Sequence, residues 1–132
     1  MANIRISLAG LDLDNPVMLA SGILDSTPGI LQRMAETGAG ALITKSISLQ
    51  PRPGYPGPTT VEIAPGTWIN AMGLPNPGLE EFVNEFPITT LSVPVIPNLV
   101  ADTPDEFAKL AAGVAAAGAK IAEINLSCPH PK

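Results

Sequence analysis

The sequence predicts an α/β fold of parallel strands backed by helices, and three observations predict it. Short apolar runs alternate with helical patterns, the rhythm of parallel strands joined by crossover helices. Two helix-to-strand joints, Gly38-Ala39-Gly40-Ala41-Leu42-Ile43 and Ala117-Gly118-Ala119-Lys120-Ile121, resemble each other and indicate a repeated β/α unit. Each apolar run also ends in small or polar residues that a plain core does not require: Ser21-Gly22, Lys45-Ser46, Asn98, and Asn125 through Cys128.

In chain order, residues 3–13 alternate apolar and polar around Ala9-Gly10, which reads as two short strands and a turn. Val17-Met18-Leu19-Ala20 is the first buried strand. Thr27-Pro28 supplies an N-cap and a proline suited to the first helical position, and Gly38 marks the end of that helix. Ala41-Leu42-Ile43-Thr44 is the second strand, and residues 50–58, with four prolines and two glycines, form an exposed loop. Residues 61–69 read as a hairpin off the main core. Asn76-Pro77-Gly78 opens a short helix whose Leu79, Phe82, Val83 and Phe86 share one face at i, i+3, i+4 and i+7. Val93-Pro94-Val95-Ile96 is the third strand. Thr103-Pro104-Asp105-Glu106 combines a capping box with proline at the first helical position. Phe107, Leu110, Ala111 and Val114 mark that helix's buried face, it ends at Gly118, and residues 119–124 lead into the last strand.

Four such strands are half of a (β/α)8 TIM barrel, which takes about 250 residues when complete. The expectation is therefore a single domain over residues 1–132, the first four β/α units plus an N-terminal hairpin, truncated relative to the full barrel. With 45% hydrophobic and 14% charged residues the chain has material for a globular core. A net charge of -5, with 7 scattered basic residues, argues against nucleic acid or an anionic membrane as partner and for a small soluble ligand. The start lacks a signal-peptide layout, and the longest apolar stretch lies between Lys109 and Lys120, too short to span a bilayer, so a cytoplasmic protein is expected. The single cysteine excludes an intrachain disulfide and a cysteine-cluster metal site; no metal is expected.

In a barrel the carboxyl ends of the strands converge on one pocket. Taken singly, the strand-end serines and asparagines are ordinary turn formers, and Lys45 is ordinary as a residue returning the chain to water. Asn98 and Asn125 fit stray backbone groups as well as the edge of a heteroaromatic ring, since a carboxamide both donates and accepts. Cys128 alone reads as a small hydrophobe. Pro129 after it ends the strand and sets the thiol on a loop over the strand mouth. His130 reads as a surface loop histidine, and no triad supports a hydrolase.

Four motifs resemble the dihydroorotate dehydrogenase family, in its soluble cysteine-type class 1: Asn15-Pro16-Val17-Met18-Leu19-Ala20-Ser21-Gly22, Thr44-Lys45-Ser46, Asn70-Ala71-Met72-Gly73-Leu74-Pro75-Asn76-Pro77-Gly78, and Asn125-Leu126-Ser127-Cys128-Pro129. The last two are the specific ones. The resemblance implies a TIM barrel carrying FMN. It implies FMN contacts from Ser21, Lys45, Ser46, Asn98 and Asn125, with Ala20 and Gly22 shaping a close backbone approach. It implies substrate contacts from Lys45, Asn70, Ala71, Met72, Gly73, Leu74 and Asn125, with Gly73 letting backbone N–H groups reach a substrate carboxylate. Cys128 is then the base that takes a proton from C5 of dihydroorotate while hydride leaves C6, giving orotate in pyrimidine (UMP) synthesis. Lys45 supplies positive charge where the reduced flavin and substrate become electron-rich.

The soluble class implies either a homodimer that reduces fumarate or a heterotetramer with an iron-sulfur FAD electron-transfer subunit that serves NAD. His130 stands where many members have an asparagine and where related dihydropyrimidine dehydrogenases carry histidine. A flavoprotein of that kind, acting on uracil or thymine, is the second enzyme reading. A non-catalytic half-barrel fragment with two open strand edges is the third. By itself the chain is expected to be inactive and to hold FMN poorly, because the phosphate-binding strand ends belong to the second half.

Overall fold

The computed structural model describes residues 3–128. The expected N-terminal hairpin forms from β1 (Ile6–Leu8) and β2 (Leu11–Leu13), antiparallel, with the turn at Ala9-Gly10. Next come β3 (Met18–Leu19), α1 (Pro28–Ala35) and β4 (Ala41–Ile47). A second antiparallel hairpin, β5 (Thr60–Ala64) with β6 (Thr67–Asn70), stands off the core with every residue exposed. The chain closes with α2 (Leu79–Glu85), β7 (Val95–Leu99), α3 (Pro104–Ala116) and β8 (Glu123–Ile124). The four strands β3, β4, β7 and β8 pair in that order, all parallel. This is the α/β half-barrel that the repeated unit predicts. Among the described residues no helix is long and apolar enough to cross a membrane.

Two apolar clusters sandwich the sheet. On the helix side, Leu42, Ile47 and Leu99 pack against Leu31 and Ala35 of α1, Phe82 of α2, and Leu110 and Val114 of α3. On the other side, Leu13 of the first hairpin covers Ala41, Ile43 and Ile96, with Leu8 and Leu11 against them. The hairpin thus plugs the amino-terminal end of the sheet and leaves the carboxyl ends free for polar side chains.

Local signals explain the helices. Thr27 and Thr103 each cap a helix by accepting from the N–H three residues on, at 3.4 and 3.3 Å, with proline at the first helical position. Glu106 departs from a capping box by accepting from the Asp102 N–H, one residue before the cap. The i, i+3, i+4, i+7 face of α2 is buried at Phe82 and Phe86, whose rings lie 4.7 Å apart. Ala111, expected on the buried face of α3, is exposed; the core is reached from Leu110 and Val114 instead.

The strands differ from expectation in four places. The second runs on past Thr44 to Ile47, so that Lys45 and Ser46 lie within it. The first is two half-buried residues, with Val17 67% exposed, because β3 is the edge of the sheet and pairs only with β4 among the described residues. The last is confined to Glu123–Ile124, both exposed, on the opposite edge. The third begins at Val95 and runs through Pro97 to Leu99. The ladder with β4 is interrupted beside Pro97: Ile43 pairs with Ile96, then Ser46 with Asn98. Thr44 and Lys45 bulge out opposite the proline, and Thr44 Oγ1 accepts the Asn98 N–H at 3.2 Å, a side-chain bond across the interruption.

Candidate functional site

That interruption decides which side chains of β4 reach the open end. In a regular strand neighbours face opposite ways. Across the register shift Lys45 and Ser46 instead both line one cleft, while Ile47 returns to the helix-side core beside Leu42. The cleft, about 540 Å³, lies at the carboxyl ends of all four parallel strands. That volume falls in the usual range for a small-molecule site, about 300–1,000 Å³.

Of the residues expected there, Ser21, Gly22, Lys45, Ser46, Asn70, Met72, Leu74, Asn98, Asn125 and Cys128 line the cleft. Ala20, Ala71 and Gly73 are not among its lining. Ala71 donates its N–H to Thr59 O at 2.8 Å, which holds it to the β5–β6 base. Gly73, at φ 74°, makes its close approach to the exposed loop, where a Cβ would sit 2.8 Å from Tyr55 N. Pro129 and His130 lie outside the described residues.

Each wall is anchored. Asn125 takes its position from its N–H on Leu99 O at 2.8 Å and its Nδ2 on Ser46 Oγ at 3.2 Å. Asn70, Met72 and Leu74 come in on an arm held by Asn76, which is buried. Its Oδ1 accepts from the Ser48 N–H at 3.1 Å and the Gly78 N–H at 2.9 Å, and its Nδ2 donates to Leu74 O at 3.0 Å. The arm is thereby tied to the end of β4. Cys128 is a free, half-buried thiol on the segment after β8.

Two acidic residues went unread in the sequence. Glu123 lines the cleft and accepts from Asn98 Nδ2. The period of two was a signal for it, since Glu123 shares strand parity with Asn125. Asp25 gave no such signal. It is fully buried, and one carboxylate oxygen accepts the Gly22 N–H while Oδ1 has no hydrogen-bond partner. The turn it braces includes Gly22 at φ 85° and Leu24 at φ 53°, the latter costly for a side-chain-bearing residue. Burial pushes the Asp25 carboxyl above its ordinary 3.8, and the Gly22 N–H and the Lys45 ammonium pull part of the way back. Lys45 Nζ lies 3.8 Å from where a Cβ on Gly22 would stand, so charge, turn and carboxylate form one unit.

The folded state therefore holds this proton to higher pH than the unfolded chain does. Asp25 favours folding most below 3.8, and that contribution is lost as pH rises through its raised folded value. Asp25→Asn keeps an acceptor for Gly22 without a charge. Urea midpoints measured upward from about pH 4 are expected to shift in the variant's favour as pH rises. A parent protein that gains on the variant over that range contradicts this assignment.

The polar lining of the cleft fits a polar ligand or cofactor. Asn98 is 3% exposed with Oδ1 buried and unpartnered, an acceptor without a donor, and Lys45 brings a cation to the same cleft. Among the described residues no group of three or more His, Cys, Asp or Glu could hold a metal ion.

A family model described as dihydroorotate dehydrogenase matches residues 3–132. The catalytic subunit of dihydroorotate dehydrogenase B (NAD(+)) from Pyrococcus furiosus is 48% identical over 130 residues, 98% of this chain and 43% of its own length. The corresponding subunit of Pyrococcus horikoshii is 49% identical over 129 residues, again 98% of this chain and 42% of the relative. That of Methanocella arvoryzae is 46% identical over 130 residues, covering 98% and 42%. The chain thus spans less than half the length of these curated relatives. In fold it is similar to the crystal structure of DHODH in complex with ferulenol from Eimeria tenella, with a TM-score of 0.69 at 22% identity, over 98% of this chain and 38% of that one.

Proposed function

Because the chain belongs to the dihydroorotate dehydrogenase family, we propose that the full-length protein oxidises dihydroorotate to orotate with FMN as cofactor, in the cytoplasmic synthesis of UMP. The chain forms the first half of one barrel domain, and the second half completes the strand ends that grip the FMN phosphate. The observation that carries this reading is the convergence of Ser21, Lys45, Ser46, Asn98, Asn125 and Cys128 from four strand ends on one cleft, faced by Asn70, Met72 and Leu74.

FMN, when bound, supplies the acceptor for the hydride that leaves C6. Cys128, as thiolate, takes the C5 proton, so that the C5–H pair of electrons becomes the second bond of C5=C6. Lys45 holds positive charge beside the ring edges that gain electron density. Asn70 and Asn125 offer donors and acceptors matched to a pyrimidine ring. Met72 and Leu74, which line the cleft, would bring the backbone of their segment to the substrate carboxylate. The relatives' description as catalytic subunits of an NAD(+) enzyme supports a second subunit here, an iron-sulfur FAD protein in a heterotetramer.

The test is the visible spectrum of the full-length protein without oxygen, before and after adding dihydroorotate. A yellow protein that bleaches is expected. Bleaching by dihydrouracil and not by dihydroorotate would replace the substrate with an uncharged pyrimidine, and a colourless protein that takes up no added FMN would refute the flavoenzyme reading.

A further inference from the structure

Asn98 and Glu123 are directly paired across β7 and β8, so their side chains share the face that lines the cleft. Asn98 Nδ2 donates to Glu123 Oε1. An ionised carboxylate only accepts hydrogen bonds, so the partnership fixes which end of the carboxamide is which. The amide end faces Glu123, and the carbonyl oxygen is left buried and without a partner. Glu123 itself is exposed on a strand of two residues and belongs to neither apolar cluster, so this bond is its evident task.

We propose that Glu123 is a positioning residue that holds Asn98 with its carbonyl oxygen free, so that this wall of the cleft selects a ligand presenting a ring N–H. The inference rests on the functional reading above and specifies its chemistry. Both ligands of that reading carry the donor: the oxidised flavin ring has one N–H, at N3, and dihydroorotate has ring N–H groups. With Glu123 removed, the carboxamide is free to turn and present NH2 to a donor, which is repulsive.

Glu123→Ala and Glu123→Gln in the full-length protein separate this role from others. FMN and 3-methyl-FMN are titrated against each by visible absorbance, and KM and kcat for dihydroorotate are measured. Glu123→Ala is expected to weaken one ligand about tenfold, the scale on which a misaligned buried hydrogen bond is felt, with kcat changing less. Glu123→Gln, whose carbonyl oxygen can also accept from Nδ2, is expected to recover to within about threefold of the parent. A loss for FMN, with 3-methyl-FMN binding weakly and alike in all proteins, assigns the donor to the flavin; a loss confined to KM assigns it to the substrate. Unchanged binding of both ligands in Glu123→Ala overturns the inference, and so does an equal loss in both variants, since charge rather than position would then matter. The side-chain NH2 resonances of Asn98 in flavin-free protein supply a readout independent of any ligand. They are expected to be shifted and slowly exchanging in the parent and Glu123→Gln, and to collapse toward free-amide behaviour in Glu123→Ala. Identical resonances in all three overturn the positioning role even where flavin binds. A parent that shows the Asn98 signature yet takes up no flavin supports the positioning and rejects the functional reading instead.

Discussion

Replacing Cys128 by alanine in the full-length protein is expected to slow anaerobic flavin reduction by dihydroorotate by about 10²–10⁴-fold, the usual contribution of a positioned base. The large effect follows from the site's composition. Among the lining residues, Lys45 is a cation and Ser21, Ser46, Ser127 and the asparagines are neutral, so none replaces a thiolate as an acceptor of a carbon-bound proton. Glu123 is the other candidate acceptor, and it is engaged by Asn98. Binding and folding are expected to survive. A half-buried thiol contributes one sulfur atom to packing, and its truncation falls among changes that cost about 1 kcal/mol. The variant is therefore expected to be yellow, to bind orotate, and to have lost exchange of the substrate C5 hydrogen with solvent. Stopped-flow absorbance checks the rate, and proton NMR of the substrate in D2O checks the exchange. A variant that reduces flavin within a factor of about ten of the parent, well inside the range for losing a base, places the base elsewhere, with Glu123 first in line.

What the sequence reveals and conceals divides along the range of the interaction. Thr27-Pro28, Thr103-Pro104, the Ala9-Gly10 turn and the Phe82/Phe86 face are signals within one or two turns of chain, and each element stands where those signals put it. The strand-end residues could be read as a set because a parallel sheet brings its carboxyl ends together. The third strand could not be bounded, because proline punctuates a strand in any local reading, while here the strand runs on through Pro97 opposite a bulge on β4. The bond of Asn98 to Thr44 spans 54 residues, and the Asn98–Glu123 bond spans 25. Neither separation leaves a pattern in a single sequence. Asp25 is concealed for a related reason: nothing between Gly22 and Ser26 distinguishes a buried carboxylate from a loop aspartate until the turn folds over it.

The largest expected loss of stability comes from adding one methyl group at Gly40. This residue is buried at the joint between α1 and β4 and donates its N–H to Val17 O at 2.7 Å. A Cβ there would lie 2.0 Å from Asn15 O, with Asn15 C at 3.0 Å and Asn15 N at 3.3 Å, all backbone atoms. Asn15 is poorly placed to retreat, because its Nδ2 is bonded to Gly38 O at 2.9 Å and its Oδ1 to Val17 N at 3.0 Å. Relief requires the 15–17 segment to move, and with it β3, which is held to β4 by the pairs Met18–Ala41 and Leu19–Leu42. Overpacking at a rigid site costs about 1–3 kcal/mol and sometimes more, and Gly40→Ala belongs at the upper end. Gly38→Ala is the control: its φ of 88° is unfavourable for alanine, but nothing lies within 4 Å, so only about 1–2 kcal/mol is expected. Urea unfolding with an unchanged slope should give the larger loss at Gly40. Because β3 leads into Ser21 and Gly22, Gly40→Ala should also loosen that wall of the cleft and weaken FMN binding, which Gly38→Ala should spare. Equal losses from the two substitutions would mean that the Asn15 segment yields freely, and that the sheet edge beside the cleft is held by something other than this contact.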